Sequence, residues 1–309
     1  LGYFGESLFV AFQVRLGLPV YAQVSTFLEL PQEAEWALRE RGKLDKRIQA
    51  AGWNGDWFIW AIGENGEVYG SHSQSEGQVY LNTQVWSVIS GAASPEQAKR
   101  CLQTVYARLH TSYGLMLAAP PFERTPVDIM RAVVYNPGIK ENSGIFNHTQ
   151  GWGVMAECLQ GNGDRAYEYF RATMPTAYND RAELRQSEPY VHAQTTYSTF
   201  SPRAGNTRTS WLTGAAAWSY FSATRYILGV QAEINGLRID PCIPAAWEGF
   251  EVTRRFRDKT WHITVHNPEH VCHGVTKIIV DGEKFDSNLI PVDTPGEEHH
   301  IEVWLGQVN

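Results

Sequence analysis

Several motifs that would assign a reaction directly are missing from the sequence. It contains no Walker A loop, no GxGxxG, no GxSxG and no HExxH, so the usual signatures of nucleotide binding, serine hydrolysis and zinc proteolysis are absent. An excess of basic residues is also missing, because 26 Lys and Arg stand against 33 Asp and Glu, for a net charge of -7. This acidic balance argues against a nucleic-acid partner.

Cysteine pairs and targeting segments are scarce as well. The four cysteines are far apart and form no CxxC pair, which predicts free buried thiols and a reducing, cytoplasmic compartment. We expect no apolar run long enough to span a bilayer. The opening "LGYFGESLFVAFQ" has no basic region and no cleavage site of a signal peptide. It also lacks an initiator Met, and we expect the chain to begin inside a larger protein.

Two patterns of hydrophobic residues divide the chain of 309 residues. Residues 1–233 read mostly as helices, with a capping box at Ser94 and Gln97 as the clearest helix start. A helix over "SWLTGAAAWSYFSATRYILG" is apolar all round and should be buried on several sides. Residues 234–309 alternate apolar and polar side chains with period two, which predicts an antiparallel β-sandwich. The fold class is therefore mainly α, an α/α-type helical barrel followed by a β domain.

Aromatic residues and long connections are the features that point to function. The chain has 11 Trp, 14 Tyr and 13 Phe, which suits a protein that stacks against sugar rings, although many of these residues belong to the core. Long polar connections over residues 63–78, 135–151 and 186–210 are typical of functional loops.

Two positions could bind an anion. His148 lies immediately before a predicted helix, where backbone N–H groups are free, so it could share an anion with them or simply cap the helix. Thr213 and Gly214 open the later helix "AAAWSYF" and could cradle a phosphate, or serve as an N-cap and a packing glycine.

Polar residues near these positions could bind sugar hydroxyls. Lys140 and Glu141 follow a Pro-Gly turn close to Tyr135, and they could bind a sugar or form a solvated loop tip. Gln194 offers both a donor and an acceptor for vicinal hydroxyls, or it is a satisfied core amide.

A glycosidase would commonly need two carboxylates, and no spacing selects a pair. The candidates are Glu6, Asp56, Glu141 and Glu188. A second pattern, the histidines at 262, 266, 270 and 273, resembles a metal ladder, but Pro268 interrupts it and structural or solvated histidines are favoured. No metal site and no cofactor are predicted.

Seven stretches of the chain together resemble a known family. "GESLFVAFQ", "GWNGDWFIWA", "GQVYLNTQVWSVISGAA", "YNPGIKENSGIFNHTQGW", "EPYVHAQ", "SWLTGAAAWSY" and "GLRIDPCIPAAW" resemble, in order, the C-terminal portion of the cellobiose phosphorylases, which are inverting disaccharide phosphorylases of glycoside hydrolase family ninety-four. Chitobiose phosphorylases belong to the same family. The resemblance implies part of an (α/α)6 barrel over residues 1–233, a β-sandwich over residues 234–309, and a homodimer.

The resemblance also implies roles for individual residues. His148, Thr213 and Gly214 match the phosphate-binding residues, Gln194 matches a donor-sugar contact, and Lys140 and Glu141 match residues that hold the acceptor sugar. Tyr135 matches a tyrosine of the cellobiose enzymes, where the chitobiose enzymes have a smaller residue.

The same resemblance places the general acid upstream of Leu1, so no catalytic residue is assigned within this sequence. The implied reaction is phosphorolysis of cellobiose to α-D-glucose 1-phosphate and glucose, with phosphate as a substrate rather than a cofactor. A phosphorylase for chitobiose or cellobionic acid is a close variant of this hypothesis, and Arg203 and Arg208 could bind the carboxylate of an acid. Two competing hypotheses are an α/α-barrel hydrolase that uses water and a non-catalytic carbohydrate-binding protein.

Overall fold

The computed structural model describes residues 4–308. Residues 1–3 and 309, at the outer ends of the two predicted domains, lie outside the described residues. The helices are α1 (Leu8–Phe27), α2 (Pro31–Gly52), α3 (Leu81–Ile89), α4 (Pro95–Leu109), α5 (Asn147–Cys158), α6 (Gly163–Thr173), α7 (Ala182–Arg185) and α8 (Ala215–Ser222). Turns of 3₁₀ helix cover Arg131–Val134 and Pro175–Arg181, and α8 continues as a π-helical turn over Ala223–Ile227.

Short strands alternate with the helices in the first part of the chain. They are β1 (Glu6–Ser7), β2 (Ala61–Ile62), β3 (Val68–Tyr69), β4 (Val79–Tyr80), β5 (His110–Thr111), β6 (Gly114–Leu115), β7 (Ala118–Ala119), β8 (Ile145–Phe146), β9 (Ala193–Thr196) and β10 (Thr207–Ser210). The chain is therefore a mixed helix-and-sheet structure rather than the mainly helical one predicted. Strands this short were missed because two to four residues show no period.

Strands predominate in the last part of the chain. They are β11 (Val230–Ala232), β12 (Gly236–Ile239), β13 (Gly249–Phe256), β14 (Lys259–His266), β15 (Val275–Val280), β16 (Glu283–Phe285), β17 (Leu289–Pro291) and β18 (Glu298–Leu305). One sheet has the order β11-β12-β17 and the other has the order β13-β14-β18-β15-β16. The pair β14 and β18 is parallel, from Thr260 opposite Glu298 to His266 opposite Trp304, so the prediction of a wholly antiparallel domain is wrong there. Period-two alternation identifies a strand but not its direction.

Four helices of the first part of the chain pack in a row. Helices α1, α3, α5 and α8 pack side by side in this order, while α2, α4 and α6 lie against α1, α3 and α5 respectively. Aromatic rings join the row: Phe9 lies 5.6 Å from Trp86 and 5.5 Å from Trp152, measured between ring centroids. Trp152 in turn lies 5.8 Å from Trp218 of α8. These aromatic residues therefore serve the packing of the helices.

The predicted start of α4 is confirmed. Ser94 is the N-cap, its hydroxyl accepts a hydrogen bond from the Gln97 N–H, and the Gln97 side chain accepts one from the Ser94 N–H. Pro95 occupies the first helical position, where a missing N–H costs nothing. The predicted separation of α5 and α6 is also confirmed, and the chain turns between them at Gly161, which has φ of +73°.

The prediction for α8 is wrong in one respect. Only Ala215 and Ser222 of its eight residues are buried, and Tyr220 is 65% exposed. A helix that is apolar all round was expected to be covered on several sides, but among residues 4–308 the packing against α5 covers one face.

Helix α1 also exposes apolar side chains, including Val10, Val14, Val20 and Val24. By length and composition it could cross a membrane, and 28% of its most apolar 18-residue stretch is buried within the described residues. The expectation that no apolar run reaches this length is therefore wrong. Core helices of globular proteins pass the same test, so the finding carries no membrane assignment.

All four cysteines are free thiols, as predicted. Cys101, Cys158 and Cys242 are buried, and burial is the main reason that the pKa of Cys101 is raised to about 12. Cys272 is partly exposed, so the prediction of buried thiols does not hold for it.

Candidate sugar and phosphate site

The loop from Tyr135 to Asn147 follows a path that only glycine permits at two points. Gly138 has φ of +79°, and a Cβ there would lie 2.6 Å from the Ser201 backbone nitrogen. A Cβ at Gly144 would lie 2.4 Å from the backbone nitrogen of Lys140. Since real Cβ contacts are never this short, the glycines are required to fold the segment back on itself.

The compact turn brings Tyr135 and Lys140 together. The Lys140 Nζ atom lies 5.6 Å from the centroid of the Tyr135 ring, within reach of a cation–π interaction. Lys140 has φ of +49°, a left-handed conformation that is uncommon for lysine. Glu141, the next residue, is exposed.

His148 lies in the first turn of α5. Its ring meets Trp152 edge-on at a centroid distance of 5.3 Å and Phe146 at 5.6 Å. Burial lowers the pKa of His148 below its ordinary value, so the imidazole is neutral at pH 7 and donates one N–H.

Hydrogen bonds fix the start of α5 to strand β9, which carries Gln194. Asn147 donates through Nδ2 to the Ala193 carbonyl at 2.8 Å, and its Oδ1 accepts from the Thr196 hydroxyl at 3.2 Å. Strand β8 pairs with β9, with Phe146 opposite Thr195. Gln194 therefore lies beside the beginning of α5.

Thr213 and Gly214 precede α8 near the same end. Strand β10 leads toward them and pairs with β9, so β8 and β10 flank the strand that carries Gln194. The Thr213 hydroxyl accepts a hydrogen bond from the Ala215 N–H at 3.0 Å and keeps its own proton to donate, but the N-cap of α8 is Gly214 rather than Thr213. A Cβ at Gly214 would meet only Trp218 Cδ1 at 3.7 Å, so packing does not require glycine there.

Helices α5 and α8 approach closely at Gly151. A Cβ at this position would lie 2.8 Å from the Trp218 carbonyl oxygen. The absence of a side chain thus allows the helix that starts at His148 to pack against the helix that starts after Gly214. Gly151 and Trp218 each lie within the first five residues of their helix, so the two helix N-termini, which carry partial positive charge, lie near this contact.

Five of the polar side chains predicted to bind sugar or phosphate have no protein partner, and we call them the polar cluster. Among residues 4–308, no hydrogen bond or ion pair involves the side chains of Tyr135, Lys140, Glu141, His148 and Gln194. All but Glu141 are half-buried. Their polar atoms are therefore available to bind a polar ligand.

The lowered pKa of His148 predicts an effect of pH on stability. Because folding favours the neutral imidazole, its contribution is complete above the unfolded pKa of about 6.5 and is lost as the pH falls toward the folded pKa. We expect a His148→Gln variant to lose less stability than the wild type between about pH 7 and pH 5. Urea denaturation at the two pH values measures this, and equal losses would contradict it.

Two of the three remaining carboxylate candidates are engaged elsewhere. Asp56 is 58% exposed and lies 3.1 Å from His72 Nε2 and 3.4 Å from Arg100 Nη1. Glu188 accepts a hydrogen bond from the Trp211 indole at 3.2 Å, and hydrogen bonds to its own backbone N–H and to Ser210 and Trp211 lower its pKa. A general acid needs a raised pKa, so Glu188 does not suit that role. Glu6 is exposed on β1.

The four histidines that resemble a metal ladder each contact a different group. His262 stacks on His300, His266 stacks on Trp304, His270 contacts the Ala245 carbonyl, and His273 lies 3.5 Å from Asp240. Within residues 4–308 no group of three or more potential ligands could hold a metal.

The two arginines proposed for a carboxylate differ in their surroundings. Arg208 donates to the Thr207 carbonyl at 3.0 Å and lies over the Tyr197 ring at 5.2 Å. Arg203 is exposed.

Sequence reasoning missed the residues that hold the site together. Asn142 lies within "YNPGIKENSGIFNHTQGW" and received no predicted role, although its amide joins three backbone groups. Gln150 joins α5 to β6 through hydrogen bonds with the Leu115 N–H and carbonyl. The only sign of these roles in the sequence is an amide residue inside a glycine-rich turn or an apolar helix. That sign does not show which backbone groups the amide will bind.

Comparison with known proteins identifies the class. Residues 1–229 match the model of the glycosyl hydrolase 94 superfamily catalytic domain, and the chain belongs to this family. It is 36% identical over 304 residues to N,N'-diacetylchitobiose phosphorylase of Vibrio proteolyticus, covering 98% of this chain and 38% of that protein. It is 40% identical over 253 residues to the enzyme of the same name from Vibrio furnissii, covering 82% and 31%.

A third relative carries a different name. Solabiose phosphorylase of Paenibacillus borealis is 31% identical over 300 residues, covering 93% of this chain and 39% of that protein. The chain thus spans less than two fifths of the length of these relatives. Among solved structures, a sialidase superposes with a TM-score of 0.58 at 10% identity, covering 81% of this chain and 22% of the sialidase chain, which indicates a related fold alone.

Proposed function

We propose that this chain supplies the phosphate and sugar contacts of a disaccharide phosphorylase that converts cellobiose and phosphate into α-D-glucose 1-phosphate and glucose. The observation that supports this most is the set of polar side chains without a protein partner on one loop, one strand and the start of α5. Sugars and phosphate are rich in oxygen atoms, which would form hydrogen bonds with these side chains.

Phosphate would lie between the starts of α5 and α8. The neutral His148 would donate one N–H, Thr213 would donate its hydroxyl, and the backbone N–H groups at Gly214 and the helix starts would add further donors. Phosphate is already an anionic nucleophile at neutral pH, so the reaction needs no general base. These donors would hold it beside the developing positive charge of the sugar, and their contribution is positioning and electrostatics.

The disaccharide would contact the other half of the cluster. Gln194 would bind the donor sugar, while Lys140 and Glu141 would bind hydroxyls of the acceptor sugar through charge-assisted hydrogen bonds. A general acid that protonates the glycosidic oxygen is expected upstream of Leu1, and phosphate would attack the opposite face of the anomeric carbon, with inversion.

The wider organisation follows from the same proposal. Residues 1–233 would contribute the later helices of an (α/α)6 barrel, and residues 234–309 would form a β-sandwich beside it. The row α1, α3, α5 and α8, with α2, α4 and α6 lying against the first three helices, supports this arrangement. We further propose a homodimer in the cytoplasm.

Release of glucose 1-phosphate from cellobiose by the intact gene product, with and without inorganic phosphate, tests the proposal. Strict dependence on phosphate is expected. Glucose release without phosphate would instead support an α/α-barrel hydrolase, and sugar binding without any reaction would support a binding protein.

The identity of the sugars is the second question. The Vibrio relatives are named for N,N'-diacetylchitobiose, which makes that disaccharide the direct competitor, and cellobionic acid is another. The presence of tyrosine at position 135 favours cellobiose, because a ring half-buried beside Lys140 leaves less room for an N-acetyl group. Measuring kcat/KM for the three disaccharides decides among them.

A Tyr135→Val variant should change this preference. Removing the ring opens space for an N-acetyl group and removes packing against glucose, so we expect the ratio of kcat/KM for N,N'-diacetylchitobiose over cellobiose to rise about tenfold. Tyr135→Phe, which keeps the ring, is the matched control and should leave the ratio close to the wild type. A ratio unchanged by valine would show that position 135 does not select the sugar.

A further inference from the structure

The side chain of Asn142 is fully buried beside the sugar-binding loop, with 0% exposure. Its Nδ2 donates to the Phe122 carbonyl at 2.7 Å and to the Tyr135 carbonyl at 2.8 Å. Its Oδ1 accepts from the Phe122 N–H at 2.7 Å. The amide therefore uses its full donor capacity on the two ends of the segment 122–135, which we name the strap.

The backbone of Asn142 fixes the turn that carries Lys140. The Gly138 N–H donates to the Asn142 carbonyl at 2.8 Å, and the Asn142 N–H donates to the Ile139 carbonyl at 3.0 Å. One residue thus holds the position of Tyr135 and the conformation of the turn that follows it.

A second clamp holds the strap near its beginning. The Glu76 carboxylate accepts hydrogen bonds at 3.0 Å from the backbone N–H groups of Glu123, Arg124 and Thr125, and another from the Thr125 hydroxyl. Burial acts to raise the pKa of Glu76, but these hydrogen bonds outweigh it and the pKa is lowered. The strap is therefore anchored to Glu76 as well as to Asn142.

We propose that Asn142, supported by Glu76, is the positioning residue of the acceptor-sugar site: it sets where Tyr135 and Lys140 lie without touching the sugar. The inference rests on the proposed function. A shift of the strap moves both side chains together, and misplacement by about 1 Å can lower a rate about a hundredfold. Phosphate contacts from α5 and α8 are held by Asn147 and by helix packing instead, so they should not move.

An Asn142→Asp variant separates the two sites. Aspartate keeps an acceptor for the Phe122 N–H but loses both donors and faces two carbonyl oxygens. In the synthetic direction, we expect the intact gene product with this change to show a KM for glucose raised about tenfold, with KM for α-D-glucose 1-phosphate within about twofold of the wild type.

The chain offers a matched control in Asn267, which is 1% exposed. Its Nδ2 donates to the Trp247 carbonyl at 2.9 Å and the Val271 carbonyl at 3.0 Å, and its Oδ1 accepts from the Val271 N–H at 3.0 Å. Asn267→Asp removes the same kinds of hydrogen bond in the strand-rich part. It should lower stability without changing the ratio of the two KM values, and an equal change in both variants would overturn the proposal.

A milder variant covers the case in which Asn142→Asp does not fold. Glu76 is near the surface, and Glu76→Gln should fold while weakening the clamp, raising the KM for glucose about threefold. An unchanged KM for glucose in this variant would overturn the proposal.

Amide hydrogen exchange provides a readout that does not depend on activity. Faster exchange confined to residues 122–144 is expected in the Asn142 and Glu76 variants and not in the Asn267 variant, and unchanged exchange there would contradict the clamp. If the wild-type protein showed no phosphate-dependent turnover, the proposed function would be wrong, and so would the role of Asn142 in the reaction. Amide hydrogen exchange would still test whether Asn142 and Glu76 hold the strap.

Discussion

A His148→Ala variant of the intact gene product is expected to raise the KM for phosphate about tenfold and to lower kcat/KM for phosphate about a hundredfold. A hydrogen bond to a charged group contributes about 1.5–3 kcal/mol, which corresponds to roughly ten- to a hundredfold in binding. The ring lies in the first turn of α5 and has no hydrogen bond or ion pair within residues 4–308. Its loss would therefore remove a phosphate contact while breaking none of the hydrogen bonds that hold the loop.

Two further variants show whether the effect comes from phosphate. His148→Gln keeps an N–H donor and should recover part of the activity. His110 is another partly buried histidine whose pKa is lowered by burial. It lies on β5, with its Nε2 atom 3.2 Å from the Glu168 carboxylate. His110→Ala should therefore leave the KM for phosphate unchanged. Steady-state kinetics with varied phosphate at saturating cellobiose measures all three. Unchanged phosphate kinetics in His148→Ala would remove His148 from the proposed site.

The parts of the fold that the sequence predicted are those with a local cause. The capping box at Ser94 and the break between α5 and α6 depend on residues a few positions apart, and both are present. The strands after residue 234 were recognised by alternation, since one face of each sheet is buried. None of these predictions needed knowledge of a distant partner.

The failures involve contacts between distant segments. The parallel pairing of β14 with β18 joins residues about forty positions apart and leaves no trace in the alternation. Helix α8 was expected to be covered because its composition is apolar, yet Tyr220 is 65% exposed. Composition predicts how much surface a helix can bury, but the neighbours that bury it are set by the tertiary fold.

The candidate site shows the same division. The residue types in the loop from Tyr135 to His148 could be read from the sequence, because glycine, proline and polar residues concentrate there. The clamp at Asn142 could not, because its partner Phe122 is twenty positions away. Sequence therefore indicated which side chains could bind a sugar, and the structure was needed to see what holds them.

Gly151→Ala, within α5, is expected to be more damaging than the same substitution at Gly42, within α2. The new Cβ would lie 2.8 Å from the carbonyl oxygen and 3.1 Å from the Cβ of Trp218, so α5 and α8 would have to separate. Overpacking of this kind costs about 1–3 kcal/mol. The separation also moves His148 away from Thr213, so we expect activity at limiting phosphate to fall about tenfold in the protein that remains folded.

The same substitution at Gly42 should have the opposite sign. Gly42 lies inside α2, and a Cβ there would meet no atom within 4 Å, so Gly42→Ala should stabilise the chain by about 0.5–1 kcal/mol through helix propensity alone. Denaturant unfolding of both variants, with phosphate kinetics for each, tests the pair. If Gly151→Ala also stabilised the protein and left phosphate kinetics unchanged, close packing of α5 on α8 would not be what holds the two halves of the phosphate site together.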